Sequence, residues 1–289
     1  MAETADKGVA HPRAAGSAQR RRRLRCRALP RASAWLWLCV SLCALAGSPA
    51  ARAQTDEIQV YDAEIAAPGR FNLTWHNNFT FAGPQQPAFP GGVVPNHALN
   101  GVPEWAYGVT DWFEQGLYLP VYTVTNQGAL LFDSVKLREL FVVPNAHDRT
   151  FFYGINFELS YNEPHWEPTR FSGEIRPIVG VHLGRWDLIL NPILDTDFKG
   201  GAGNLDFAPA VRAAYNVNSK LTFALEEYAE FGPLQHFLPS AQQSHTLFAV
   251  VDYGSSYGGS NNGVEFGIGK GLTPAAEGWV LKLMIMHDL

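Results

Sequence analysis

The chain has 289 residues, with 22 Lys and Arg, 27 Asp and Glu, and three cysteines. The cysteines (Cys26, Cys39 and Cys43) all lie in the first 53 residues, which also hold 10 of the basic residues and only 2 of the acidic ones. Residues 54–289 therefore contain 12 Lys and Arg against 25 Asp and Glu, a net charge of −13, and no cysteine. This composition excludes a disulfide framework and a thiolate metal site, and it argues against nucleic-acid binding, which needs a basic surface.

Residues 1–53 have the pattern of a cleaved signal peptide. A basic stretch at 20–31 precedes an apolar stretch at 34–46, and Ala51-Arg52-Ala53 offers a small-x-small cleavage site before Gln54. The alternative is an N-terminal membrane anchor, but an apolar stretch of 13 residues is too short to cross a hydrocarbon core of ~30 Å. We expect cleavage to leave Gln54 as the first residue, followed by a periplasmic N-terminal leader at 54–69.

From residue 70 onward, apolar side chains recur at every second position. Around the first such stretch, one face has Phe71, Leu73, Trp75, Phe79 and Phe81, and the other has Asn72, Thr74, His76, Asn78 and Thr80. Because side chains alternate across a strand, one face then meets an apolar medium and the other meets water. The pattern predicts strands at 70–82, 104–110, 112–122, 131–143, 150–162, 170–183, 185–196, 204–217, 219–231, 243–254, 262–271 and 278–289.

These strands predict an all-β fold, a transmembrane antiparallel up-and-down β-barrel of about 12 strands over residues 70–289. No run of ~18 apolar residues follows residue 53, which excludes a transmembrane helix. A soluble secreted β-sandwich would also alternate, but aromatic residues near strand ends and mixed charges on the polar faces favour the barrel. The long connection at 83–103 and the minimal turn at Thr110-Asp111 fit a barrel of the Gram-negative outer membrane with both ends in the periplasm.

One turn and its flanks are similar to a known family. Tyr107-Gly108-Val109-Thr110-Asp111, followed by Glu114-Gln115-Gly116, resembles the first hairpin of the outer-membrane barrels grouped with phenol meta-pathway degradation proteins. The stretches 174–180 and 185–195 resemble uncharacterised proteobacterial outer-membrane proteins. Over residues 57–289, this resemblance implies an envelope channel or transporter for small, often aromatic, compounds.

Charged residues on the polar faces are the candidates for the barrel lumen. They are Glu174, Arg176, Asp187, Arg212, Glu226, Asp252, Glu265 and Lys282. Opposite charges can pair across neighbouring strands and fill the barrel, or they can line a selective channel. On the first hypothesis we expect Asp187 and Asp195, on the strand between Arg176 and Arg212, to share in the pairing. The leader has Ile58, Tyr61 and Ile65 at helical spacing, which predicts either a segment docked on or inside the periplasmic mouth or a disordered leader.

Motifs for catalysis are weak in this chain. Gly254-Ser255-Ser256-Tyr257-Gly258 matches the Gly-x-Ser-x-Gly pattern, but a flexible Gly259-Ser260-Asn261-Asn262 stretch follows it instead of the helix that a nucleophile elbow needs. Asp195-Thr196-Asp197 and the residues after it lack the later ligands of a calcium loop, and no paired-histidine spacing marks a metal site. We therefore expect no catalytic residue, no metal and no cofactor.

These observations favour a passive channel or transport-related protein for a small compound, hydrophobic or aromatic compounds included, rather than an enzyme. A closed structural or surface-interaction barrel and a barrel-embedded hydrolase are the alternatives. The partners that we expect are outer-membrane lipids, the barrel-assembly machinery and a small-molecule solute, with no nucleic acid.

Overall fold

Fifteen β-strands join in a single antiparallel sheet in the computed structural model, which describes residues 57–200, 204–255 and 262–289. The predicted signal peptide and Ser256 lie outside the described residues. The strands are β1 Phe71–Ala82, β2 Leu99–Gly108, β3 Phe113–Val124, β4 Leu130–Val142, β5 Phe151–Asn162, β6 Phe171–Leu183, β7 Trp186–Asn191, β8 Leu194–Thr196, β9 Asp206–Phe207, β10 Ala210–Asn218, β11 Leu221–Glu230, β12 Gly232–Pro233, β13 Ser244–Ser255, β14 Asn262–Gly271 and β15 Trp279–Asp288. A short 3₁₀-helix, Ala146–Asp148, separates β4 from β5. Within the described ranges, no helix is long and apolar enough to cross a membrane.

The sheet closes on itself. β1 pairs with β2 on one side and with β15 on the other. β7 is the last strand of the order, and its additional pairing with β6 closes the ring. The short strands β7 and β8, β9 and β10, and β11 and β12 are interrupted halves of the seventh, eighth and ninth strands of the barrel. The described strands therefore form a closed barrel of twelve strands, which confirms the predicted fold.

The second strand differs from its predicted bounds. It begins at Leu99, five residues before the predicted start at Glu104, and ends at Gly108. Pro103 lies inside this strand. A proline cannot donate a ladder hydrogen bond, so the sequence did not indicate the part of the strand before residue 104. The pairing of β2 with β3 shifts register between Gly101 and Glu104, and this irregularity accommodates the proline.

The two faces of the wall separate as the alternation predicts. On β1, Asn72, Thr74, His76, Asn78 and Thr80 are buried inside the barrel. Apolar side chains of the opposite face point outward and stay exposed, for example Trp75, Leu159 and Leu225 at 45, 48 and 55 %. An apolar exterior around a polar interior is the arrangement that a membrane-spanning barrel requires.

Aromatic side chains collect near both rims of the barrel. Phe71–Tyr107, Phe113–Phe141 and Trp186–Tyr215 are neighbouring rings near one rim, and Phe81–Trp279, Tyr161–Phe171 and Phe231–Phe237 are neighbours near the other. Such girdles are typical of the two membrane–water interfaces of an outer-membrane barrel.

Several polar side chains on the outer face form hydrogen bonds with one another. The indole Nε1 of Trp75 donates to the hydroxyl of Tyr122 at 3.1 Å, and that hydroxyl donates to Asn77 Oδ1 at 2.9 Å. Near the rims, Gln115 donates to Glu139 at 2.7 Å. These bonds lower the cost of placing polar groups against lipid.

The barrel has one end with short turns and one with long loops. We call the end where β1 begins and β15 finishes the terminal end; its turns include 109–112, 184–185 and 219–220. Loops at the opposite end, such as 83–98, 163–170 and 234–243, are longer. Since periplasmic turns are short in outer-membrane barrels, the terminal end faces the periplasm. The turn at 143–150 is longer than the others there, and its Ala146 is buried against the lumen core.

Candidate functional site: the barrel lumen

Residues 57–69, which we call the inner segment, run inside the barrel. The segment is irregular and extended and not helical, although the spacing of its apolar residues suggested a helix. Its Val60, Tyr61 and Ala63 are buried among inward apolar side chains of β4, β5, β6 and β7. Its Ile58 packs on the other side against a cluster from β10, β11, β13 and β15. The segment therefore bridges opposite sides of the wall and occupies the lumen.

Gly108 allows the backbone of the inner segment to pass close to the wall at the terminal end. Pro68 forms a parallel bridge with Gly108, and Gly69 N donates to Gly108 O at 2.7 Å. A Cβ atom on Gly108 would lie only 2.2 Å from the carbonyl oxygen of Ala66, so a larger residue would displace the segment. This glycine belongs to the Tyr107–Asp111 turn on which the family resemblance rests.

Polar contacts from several strands of the wall hold the inner segment in place. The amide of Tyr61 donates to Asn191 Oδ1 at 2.7 Å, and Asn191 Nδ2 donates back to the carbonyl of Tyr61 at 3.0 Å. The hydroxyls of Tyr61 and Tyr118 are 2.6 Å apart. Ala66 N donates to Glu114 Oε2 at 2.5 Å. Asn191 is fully buried and acts as a two-sided clamp on the segment.

Five of the eight predicted lumen residues meet in one cluster. They are Arg212, Glu226, Asp252, Glu265 and Lys282, from five successive strands of the wall. Lys282, which has no solvent exposure, pairs with Glu226 and with Glu265, and it also donates to the carbonyl of Ile58 at 3.3 Å. The cluster therefore neutralises buried charges and touches the inner segment.

The other predicted residues lie in two separate places. Arg176 pairs with Glu174 at 2.6 Å and with Glu57 of the inner segment at 3.4 Å, and its guanidinium carbon is 4.3 Å from the centroid of the Tyr61 ring. Asp187 accepts hydrogen bonds from His182 and Asn216, both at 2.6 Å.

The pairing of Asp187 and Asp195 with the neighbouring arginines stays a prediction, and the register gives their direct neighbours. The register places Asp187 opposite His182 on β6 and Ala214 on β10, while Arg212 lies opposite Ile189. Asp195 lies opposite another acid, Glu174. Strand register, which alternation cannot specify, decides these partners.

Sequence reasoning missed a further cluster around Arg138. Its guanidinium pairs with Glu104 at 2.8 Å and with Glu114, and His76 Nε2 is 3.2 Å from Glu104. Glu104 and His76 fall on polar faces of their strands. Arg138 and Glu139 are adjacent charged residues, so the sequence does not show which of these two points inward. The cluster lies on β1 to β4 and reaches the inner segment through Glu114.

The lumen is acidic as a whole. Among the described residues, the inward Lys and Arg side chains are Lys136, Arg138, Arg176, Arg212 and Lys282. They are outnumbered by inward carboxylates, which include Glu57, Asp62, Glu64, Glu104, Glu114, Asp133, Glu158, Glu174, Asp187, Asp195, Glu226, Asp252 and Glu265. Part of this excess lines a polar cavity of about 60 Å³ towards the terminal end, between the inner segment and the wall. An acidic interior attracts cations and repels anions.

Comparisons with known proteins bear on the fold. No protein-family model and no curated protein sequence matches the chain. Its structure is similar to the COG4313 outer membrane channel from Pseudomonas putida F1, with a TM-score of 0.50 and 12 % identity, covering 81 % of this chain and 100 % of that one. The KdgM porin in complex with disordered oligogalacturonate gives a TM-score of 0.46 at 8 % identity, covering 75 % of this chain and 98 % of that one. The NanC porin gives 0.47 at 8 % identity, covering 76 % and 100 %.

The chain has the fold of an outer-membrane β-barrel. The closed wall, the apolar outer face and the two aromatic girdles place the protein in the outer membrane of a Gram-negative bacterium, as the sequence predicted. At 12 % identity the likeness to the channel from Pseudomonas putida concerns the fold, and the function has to be argued from the lumen.

Proposed function

We propose that the protein is a passive outer-membrane channel for a small compound and that the inner segment closes it in the conformation described. The observation that carries the proposal is that this obstruction is not part of the wall. The inner segment enters from the terminal end, beside Gly108, and is clamped by Asn191 through two hydrogen bonds. Displacing the segment would leave a charged, hydrated path along the axis of a twelve-strand barrel.

The solute class follows from the lining and from the resemblance. The excess of inward carboxylates disfavours anions, which leaves neutral or cationic compounds. The resemblance of the Tyr107–Gly116 region to barrels of phenol meta-pathway degradation supports a small hydrophobic or aromatic compound. The similar structure from Pseudomonas putida is itself called an outer membrane channel. The proposal includes no catalytic step.

A permanently closed structural barrel is the second candidate. It is favoured by the dense ion pairing of Lys282, Arg138 and Arg176, which leaves little free space inside the wall. The two candidates differ in one respect: a closed barrel gains no conductance when the clamp on the inner segment is removed.

Conductance across a planar bilayer tests the proposal. Asn191→Ala removes both hydrogen bonds to Tyr61, so we expect larger and more frequent ion currents than in the wild-type protein, with cations carrying most of the current. Asn162→Ala is the matched control, because Asn162 is equally buried but bonds to Ser134 and Ser172 near the opposite end. Currents that stay at the wild-type level in Asn191→Ala, while the segment is shown by protease cleavage to be released, would favour the closed barrel.

The closed state should depend on pH through Glu64. Burial raises the pKa of the Glu64 carboxyl well above its usual range, and the charges of Asp62 and Asp187 raise it further. The docked segment therefore binds a proton more readily than the released one, and docking weakens as pH rises from the ordinary carboxyl pKa of about 4.3 through the raised value. We expect the open probability to increase with pH over that window. Glu64→Gln should flatten the response, whereas Glu163→Gln, in a loop at the opposite end, should leave it intact.

A further inference from the structure

A carboxylate lies on the membrane face of the wall, between the two aromatic girdles. On β11, Glu226 points into the barrel, so Leu225 and Glu227 point outward. Phe223, at the level of the periplasmic girdle, and Phe231, in the other girdle, are each four residues from Glu227, or ~13 Å along the strand. An ionisable side chain at this depth is costly against hydrocarbon, and such residues usually mark a functional site.

Glu227 begins a short chain of polar groups that leads to the outer rim. Its Oε1 is 3.0 Å from His245 Nδ1, and His245 Nε2 is 3.2 Å from Gln243 Oε1. Gln243 lies in the loop before β13 and donates to the carbonyl of Leu238 at 2.6 Å. A carboxylate accepts about four hydrogen bonds, so Glu227, whose side chain is 40 % exposed, retains the capacity to bind a donor from the membrane.

An apolar groove of about 500 Å³ crosses the membrane face beside Glu227. Three strand spacings of ~4.8 Å separate Glu227 on β11 from Val179 on β6, so this part of the groove is about 14 Å long. The strands beneath it are fully paired, and the groove is therefore a surface feature of an intact wall. Its apolar lining comes from two register rows, Val179, Leu190 and Val211 in one and Leu188, Ala213 and Leu225 in the other.

The charge beside the groove selects the head group of its occupant. The Glu227 carboxylate attracts a cationic donor and repels the phosphates of outer-leaflet lipid. An outward lysine, Lys270, is opposite Leu247 at two strand spacings from Glu227, and its ammonium is 4.9 Å from the ring centroid of Trp279. The head groups of bilayer lipids stay at the interfaces, near the girdles, so the donor has to belong to a molecule whose apolar body fits the groove.

We propose that the groove and Glu227 form a binding site on the membrane face for a single-chain amphiphile with a primary ammonium head. The alkyl chain lies along the apolar rows, and the ammonium donates to the carboxylate that His245 holds from the other side. Pairing with a cation removes the cost of a carboxylate against hydrocarbon. The site is separate from the lumen and does not depend on the proposed channel function.

Mass spectrometry of the intact protein, released from micelles of a neutral detergent, tests the site. The probe is dodecylamine, a single-chain primary amine, and dodecyl sulfate is the matched anion. Glu227→Leu removes the carboxylate and keeps an outward side chain that suits hydrocarbon. Glu139→Leu is the matched control, because Glu139 also lies on the outer face, where it accepts a hydrogen bond from Gln115. Ala213→Phe fills the groove and leaves the carboxylate in place.

We expect one dodecylamine to bind per wild-type chain. Its affinity should fall about tenfold or more in Glu227→Leu, the effect of losing a hydrogen bond to a charged group, and it should also fall in Ala213→Phe. Glu139→Leu should bind the amine like the wild-type protein. The free energy of unfolding of Glu227→Leu should stay at or above the wild-type value, because leucine suits the lipid face better than a carboxylate does.

Three results would overturn the site. The first is equal affinity for dodecylamine in the wild-type protein and in Glu227→Leu; if that variant is also less stable, Glu227 is only a structural partner of His245. The second is a preference for dodecyl sulfate that Lys270→Met abolishes, which would assign the groove to outer-leaflet phosphates. The third is a protein that carries membrane lipid alone and gains no dodecylamine.

Discussion

Replacing Lys282 by methionine is expected to destabilise the barrel by about 3–5 kcal/mol, the usual cost of removing one partner of a buried ion pair. Methionine keeps most of the apolar stem, but Glu226 and Glu265 lose their shared ammonium in a site without solvent exposure. The measurement is the free energy of unfolding from a urea titration in lipid vesicles.

The control for this variant lies on the neighbouring strand. Lys270→Met removes an exposed lysine whose Nζ is 4.9 Å from the ring centroid of Trp279, and we expect a cost below about 1 kcal/mol. Adding Glu265→Gln to Lys282→Met should recover part of the loss, because one unpaired carboxylate is removed. A cost for Lys282→Met no greater than that for Lys270→Met would mean that the cluster is hydrated and the lumen wide.

Placing an arginine on the outer face at Leu283 should cost about 2–4 kcal/mol, since this side chain lies near the middle of β15 and faces hydrocarbon. The same substitution at Leu272, which is 58 % exposed in the loop after β14, should cost about 0–1 kcal/mol, because the charge reaches headgroups or water. Refolding titrations into vesicles of defined thickness give both values. Equal costs at the two positions would contradict the membrane placement of the wall.

Inward positions are poor controls for this experiment, because the structure shows that the lumen is filled. Asn156 and Ser160 are inward residues of β5, and both are buried in a filled lumen. An arginine there would be overpacked, so its cost would report crowding and not lipid contact.

Alternation alone predicted the faces of the wall, because its period of two is a property of each strand in isolation. It therefore identified the inward side of residues such as Glu226 and Lys282 without knowledge of their neighbours. Their role as the lining of a channel stays a prediction. The sequence could not predict which charges meet, since partners depend on register, and register depends on irregularities such as those at Gly101–Glu104 and Asn216–Asn218.

The docking of the inner segment was also beyond the sequence. The sequence left a disordered leader as the alternative, because Tyr61 finds hydrogen-bond partners 57 and 130 residues away along the chain. The sequence did not identify Asn191 as a contact of the leader, because an asparagine before a proline usually indicates only a turn. Only the closed wall brings this side chain to the backbone of Tyr61.

The bond between Ile58 and Lys282 spans 224 positions of the chain. Contacts of such separation are costly in chain entropy, because the loop that they close must first be brought together. The pairing of β1 with β15 closes a loop of similar length, since Asn72 and Asp288 are 216 positions apart. A wall that closed before the segment docked would enclose the acids and bases of the interior in an unfilled, hydrated cylinder, the same state as the open form proposed above.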